Sequence, residues 1–280
     1  MKIVFSRKGL DSAAGGIPSP LVDGRPLSIP IPANGTPSAC VYSDLVSPIP
    51  EILDDLGKGM DRSEPCHLDP DIDASIVRRP RPSGWRGSLG QIGAAQSHLA
   101  NQGVGRDDVF VFWGLFRSVE RAEGKWRFVD KPQHRIFGWL QVGEVLAVGE
   151  DWRDALQRYP WLEGHPHLRA GWGPANRVYV ATDRLRLGGS DTRLAGFGRL
   201  RLGKRLTACA DERVSTWNVP AWLDPSRGGT GMTYHPPARW LGDGMLRAAP
   251  RGQEFVADAG TRRDALEWLE TLIGGDATGD

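Results

Sequence analysis

A chain of 280 residues with 35 basic and 34 acidic side chains carries a formal net charge of +1, which excludes binding to nucleic acid or membrane through bulk charge and leaves recognition to local patches. Three widely spaced cysteines, Cys40, Cys66 and Cys209, exclude a disulfide framework and a paired-cysteine zinc site, and fit free thiols in a reducing cytoplasm. No run of about 18 apolar residues occurs, so no membrane span is expected and a soluble, cytoplasmic protein is.

The first stretch, MKIVFSRKG, is apolar only briefly, too short for a signal peptide, and KIVFSR reads as a buried strand. The segment after it is rich in Gly, Pro and Ser but keeps being interrupted by apolar residues, so an ordered loop is expected. PEILDDLGKG can form a short helix that starts at Pro50 and stops near Gly57. SLGQIGAAQSHLANQGV has the clearest helical spacing, with Ser88 as its N-cap and Gly103 as its stop. Three β-rich runs follow, DVFVFWGLFRSV, KWRFVD and RIFGWLQVGEVLAV, joined by short turns as an antiparallel meander. DWRDALQRYPWL is a short helix, RVYVAT a strand, and TRRDALEWLETLI an amphipathic helix with Leu266, Leu269 and Ile273 on one face.

The high Gly and Pro content, 36 and 21 residues, implies many turns. Eleven tryptophans imply either a core of large rings or stacking surfaces for bases. Together these features predict an α+β fold. A single domain over residues 1–274 carries a mixed, largely antiparallel sheet with short helices and long ordered loops, and a disordered tail covers 275–280.

Chemistry concentrates in a few loops. In EPCHLDPDI the prolines favour an extended chain, so His67, Asp69 and Asp71 alternate onto one side. An imidazole and a carboxylate on one face suit a divalent Fe, Mn or Zn ion, or an acid–base pair. GHPHL places His165 and His167 together by the same reasoning, as further metal ligands. In SRKGLD the strand runs into Ser6, Arg7 and Lys8, which with Asp11 suit an anionic part of a substrate; Lys8 and Asp11 are also catalytic candidates. Gln96 and His98 on the helix, and Trp217, Tyr234 and His235 on later loops, are substrate-pocket candidates. Arg184, Arg186, Arg199 and Arg201 alternate with leucines, so two paired strands would line one face with arginine for a phosphate backbone. RRPRPSGWRG, residues 78–87, adds a second basic cluster around Trp85. No GxSxG elbow, HExxH helix or GxGxxG turn is present, which excludes the common hydrolase, metalloprotease and dehydrogenase templates.

In order along the chain, FSRKGLDSAAGGIPSP, HLDPD, GAAQSHLANQGV, DDVFVFWGLFR, HRIFGWLQVGE, NRVYVA, STWNVPAW, TYHP and RGQEFV resemble the nucleotide modification associated domain family of the third type, from Lys2 to about Val256. The resemblance implies a link with base modification in phage and bacterial gene neighbourhoods, and brings no established reaction with it. Residues 107–157 also resemble a PUA or EVE-type β-barrel portion, a kind of domain that holds modified bases in a pocket. The expected function is therefore a DNA or nucleotide base-modification protein, an enzyme with a polar, metal-binding pocket. The alternatives are a non-catalytic reader of modified bases and an enzyme acting on a free nucleotide or small metabolite.

Overall fold

The computed structural model describes residues 1–35, 38–149, 151–169, 171–209, 213–250, 252 and 254–277. Its centre is a curled mixed sheet. We label the strands that build it β1 (Lys2–Arg7), β2 (Ser19–Val22), β3 (Ser88–Gln91), β4 (Val109–Ala122), β5 (Gln133–Ala147), β6 (Arg177–Ala181), β7 (Phe197–Arg205) and β8 (Glu254–Asp258). The main path runs β8-β1-β4-β5-β6-β3. Strand β1 lies parallel to β4 and antiparallel to β8, and β5 is antiparallel to β4, β6 and β7. Four helices attend it: α1 (Ile49–Leu56), α2 (Gly93–Asn101), α3 (Trp152–Arg158) and α4 (Arg263–Ala277).

The nearly continuous apolar runs of β1 and β4 exist because both faces are covered. Ile3, Phe5, Val109, Val111 and Trp113 point to one layer, under Ala265, Leu269 and Ile273 of α4 and against Trp217 and Trp222. Val4, Phe110, Phe112 and Phe116 point to the other, with Leu99 of α2 and Tyr179 of β6. This is the period-two alternation of a strand buried on both sides. The Pro-rich segment between β2 and β3 packs Ile29, Tyr42, Leu45 and Ile49 into a core shared with Leu10 of the preceding loop, which keeps both loops ordered.

Several expectations change. Ser88 does not cap α2; Ser88–Gln91 is strand β3, and Ile92 occupies the N-cap position. The strand wins because each of its four residues is buried and it pairs with β6. The meander is incomplete: Lys125–Phe128 pairs with the far end of β4, while β5 returns to Val109–Phe116 rather than to that short strand. Among the described residues no closed barrel forms. The outer strands β8 and β3 instead approach through side chains, Gln91 Nε2 donating to Glu254 Oε1 at 2.6 Å. Helix α4 continues through Gly274 to Ala277, past the expected end of the domain, and Asp276 accepts the backbone N–H groups of Leu202 and Gly203 at a bulge in β7. Residues 278–280 of the expected tail lie outside the described residues. No helix among the described residues is long and apolar enough to cross a membrane.

Candidate metal centre

His67 and Asp69 leave a two-residue strand, Cys66–His67, which is held by Ile31–Pro32 and by the Cys66 amide donating to the Cys40 carbonyl. The segment lies inside the molecule. Gly90 of β3 donates its N–H to Asp69 Oδ1 at 2.7 Å, so one carboxylate oxygen is satisfied by backbone. The other, Oδ2, faces His67 Nε2 at 3.9 Å and His167 Nε2 at 3.8 Å. These spacings exceed a hydrogen bond. They also exceed the roughly 3.0–3.4 Å expected between two ligands about 2.1 Å from one ion, so each imidazole would close on Oδ2 by under about 1 Å to share a metal with it.

The ring of His167 is oriented for that role. Its Nδ1 meets Asn176 Oδ1 at 2.7 Å, and Asn176 Nδ2 donates to the His167 carbonyl at 2.8 Å. The amide is thus fixed with its oxygen toward the imidazole, which must carry its proton on Nδ1 and keep the Nε2 lone pair free. Trp172 stacks on the same ring at 5.2 Å with an 11° interplanar angle. Strand β3 admits the ring only because residue 90 is glycine: a Cβ there would sit 2.1 Å from His167 Cδ2.

His165 behaves differently. Its Nδ1 accepts the amide N–H of His167 at 3.2 Å. A neutral ring then carries its proton on Nε2, which lies 3.9 Å from Asp69 Oδ1 and has no hydrogen-bond partner among the described residues. With Nε2 occupied by that proton, His165 stands beside the ligand set as a donor rather than in it, a correction to its expected role.

Burial sets the local electrostatics. It pushes His67 down to about 4, with Asp69 opposing and His167, Lys8 and Arg169 assisting. It pushes His165 down to about 3 against the pull of Asp69. Burial alone would raise Asp69, but His167, Lys8, His165 and His67 hold its carboxyl below the usual range. A buried carboxylate oxygen facing the Nε2 atoms of two imidazoles is a donor set that a divalent cation could use. His67, Asp69 and His167 can therefore hold a metal ion.

Lys8 lies near enough to this centre to bias both His67 and Asp69. Its Nζ is 3.3 Å from Glu254 Oε1, which also accepts from Ser6 Oγ at 3.0 Å and from Gln91. Four residues from three separate segments thereby fill the seam where β8 and β3 approach.

Other expected site residues lie elsewhere. Asp71 breaks from the alternation and binds Arg81 (2.8 Å) and the indole of Trp85 (3.2 Å). Asp11 serves its own turn, accepting from the amides of Ala13 and Ala14, with Arg7 at 3.8 Å. Gln96 accepts from the hydroxyl of Tyr179 in the inner core, and His98 reaches Thr233 and packs on the exposed ring of Tyr234. Trp217 is fully buried and donates to His134, and both ring nitrogens of His235 are engaged by backbone. The arginine ribbon does not form as one face. Arg184 and Arg186 belong to a hairpin, Arg184–Leu187 with Ser190–Ala195, while Arg199 and Arg201 lie on β7, which pairs with β5. Arg186 meets Asp191 at 3.0 Å and Arg199 meets Asp73 at 2.9 Å.

Asn176, Gly90 and Glu254 were not singled out from sequence, although NRVYVA, SLGQIG and RGQEFV contain them. Their only signal was a polar residue or a glycine at the end of an apolar strand. A family model described as nucleotide modification associated domain 3 matches residues 2–258. No curated protein and no solved structure matches the chain.

Proposed function

The chain belongs to the nucleotide modification associated domain 3 family, and from that premise we propose that it is an enzyme acting on a nucleobase or its nucleotide at a divalent metal held by His67, Asp69 and His167. The observation that carries the reading is the pair of imidazole nitrogens, His67 Nε2 and His167 Nε2, facing Asp69 Oδ2, with His167 locked in the ligating tautomer by Asn176. Two imidazoles and one carboxylate with open positions favour Fe(II), with Mn(II) and Zn(II) as the other ions such a set takes. When bound, the ion supplies a Lewis acid with free coordination positions for substrate or a co-substrate.

The chain's own residues prepare that site. Gly90 fixes the carboxylate, Asn176 and Trp172 fix one imidazole, and His165 presents an N–H beside the centre. The Lys8–Glu254 pair adds a buried cation on the flank, suited to steady negative charge on a reacting group. A base within a duplex would have to be flipped out or presented single-stranded to reach this depth.

The test combines metal titration with product analysis. The purified protein should bind Fe(II), Mn(II) or Zn(II) at one equivalent, and His67→Ala or Asp69→Ala should abolish binding. Mass spectrometry of nucleotides and DNA after incubation with metal-loaded protein should show a new base mass. Binding of modified DNA with no mass change would establish a reader instead, and absence of any metal binding would remove the proposed centre.

A further inference from the structure

Cys40 and Cys66 are both buried, 4% and 0% exposed, and neither takes part in the metal centre. Val41 pairs antiparallel with Pro65, a register that sets Cys40 directly opposite Cys66. The Cys66 amide donates to the Cys40 carbonyl at 2.9 Å. Ser38 laces the same two segments, its hydroxyl donating to the Cys66 carbonyl at 2.6 Å and accepting the Cys40 amide at 3.2 Å. The thiols therefore face each other, with Sγ atoms 3.5 Å apart. Opposed residues of antiparallel strands hold their Cα atoms about 4.5–5.5 Å apart, inside the roughly 4.4–6.8 Å that a disulfide spans. Closing from 3.5 Å to a bond of about 2.05 Å asks the sulfurs to approach by about 1.5 Å.

Access and consequence set this pair apart from two thiols that merely fill a core. Cys40 stands in the wall of a cavity of about 550 Å³, lined also by Ser38, Leu68 and Trp161, which leaves ample room for a small hydroperoxide. Cys66 is followed directly by His67, and successive side chains of an extended segment point to opposite sides. Cys66 and Leu68 accordingly enter the core around Tyr42 and Ile49, while His67 and Asp69 face the centre. Metal binding needs His67 to close on Asp69 Oδ2 by under about 1 Å. The bridge needs a shift of similar size at the adjacent residue, toward Cys40. The two closures draw one peptide to opposite sides, so each opposes the other.

We propose that Cys40 and Cys66 form a peroxide-closed disulfide that switches off the metal centre. The Cys40 sulfur attacks an oxygen of hydrogen peroxide and gives up two electrons. The O–O bond breaks, the departing hydroxide takes the thiol proton as water, and a sulfenic acid remains. The Cys66 sulfur then attacks that sulfur, the S–O bond breaks, and the released hydroxide leaves with the Cys66 proton as a second water. Two thiols and one peroxide give one disulfide and two waters, and a thiol reductant reverses the bridge by exchange. The switch rests on the metal centre proposed above, whereas the bridge does not.

The test uses the full chain carrying Cys209→Ser, which removes the exposed thiol. Treated with hydrogen peroxide, this protein should lose the mass of two hydrogen atoms, peptide mapping should join Cys40 to Cys66, and dithiothreitol should restore the thiols. Once peroxide is removed, the oxidised form should bind Mn(II) about tenfold or more weakly than the reduced form. Adding Cys40→Ala or, as a second variant, Cys66→Ala should preserve Mn(II) binding under reducing conditions and abolish the peroxide effect. Oxygen adducts without a Cys40–Cys66 link, or linked protein that binds Mn(II) as tightly as reduced protein, overturns the proposal. So does a peroxide effect that survives in both alanine variants. A Cys40–Cys66 link with no Mn(II) binding in either state overturns the metal reading, and the switch with it, while establishing the bridge, so the two failures are separable.

Discussion

Asn176 decides which nitrogen His167 offers, and that one hydrogen bond is what would let the imidazole serve as a ligand in the proposed metal centre. Asn176→Leu keeps the volume but removes the acceptor. Metal affinity should fall about 10- to 100-fold, as read by competition with a chromophoric chelator, with the fold retained by circular dichroism. Gly90 acts at the same scale by leaving space. Gly90→Ala puts a methyl group 2.1 Å from the imidazole, so the ring or the strand must move. The variant should lose metal binding as fully as His167→Ala and lose about 1–3 kcal/mol of stability in urea. Neither Asn176 nor Gly90 is titratable or unusual in its local sequence, which is why their roles were not legible there. His67 and Asp69 were legible because the prolines beside them favour an extended chain, on which alternate side chains share a side.

Among the elements, the seam between β8 and β3 is where the sheet trades apolar for polar packing. Val4 and Val256 share the inner layer, and one alternation further along Ser6 and Glu254 replace them. Glu254 is 1% exposed, so its charge depends on Lys8 and on its hydrogen bonds. Lys8→Met should cost about 3–5 kcal/mol, because it strands a buried carboxylate. The double variant with Glu254→Leu should recover much of that loss in urea denaturation, which a pair of independent surface residues would not do. The end of α4 is a second element-scale dependency. Asp276→Ala leaves two amides of the β7 bulge without their carboxylate, for an expected loss of about 1–2 kcal/mol in thermal or urea unfolding. Strand β3 shows why sequence misplaced a boundary: its helical spacing begins in SLGQ, but pairing with β6 and burial on both sides override it.

Across the whole molecule, buried neutral histidines tie stability to pH. His134 accepts the Trp217 indole N–H and His235 accepts the Ala249 amide, and burial pushes each down to about 4. Unfolded histidine titrates near 6.5, so between pH 6.5 and 4 the unfolded chain binds more protons. Stability is therefore full above about pH 6.5, falls as pH drops, and levels off below about 4, each residue contributing at most about 3 kcal/mol. In metal-free protein, urea midpoints from pH 7 to 4 should show this decline, with His67 and His165 adding in the same direction. His134→Asn and His235→Gln, which keep an acceptor but cannot be protonated, should each flatten the slope.

The order of motifs, the doubly buried strand runs, the short helices α1 and α3 and the two histidine-bearing segments all follow from the sequence by itself, because periodicity, proline and turn chemistry act over a few residues. The meeting of His67 and Asp69 with His167, a hundred residues later, does not. That contact depends on how far the sheet curls, on which edge of β5 receives β6, and on a glycine in β3 that makes room for a ring. Long-range packing alone set which ring nitrogen each of His165 and His167 leaves open, and it dispersed the arginines that local alternation had placed together.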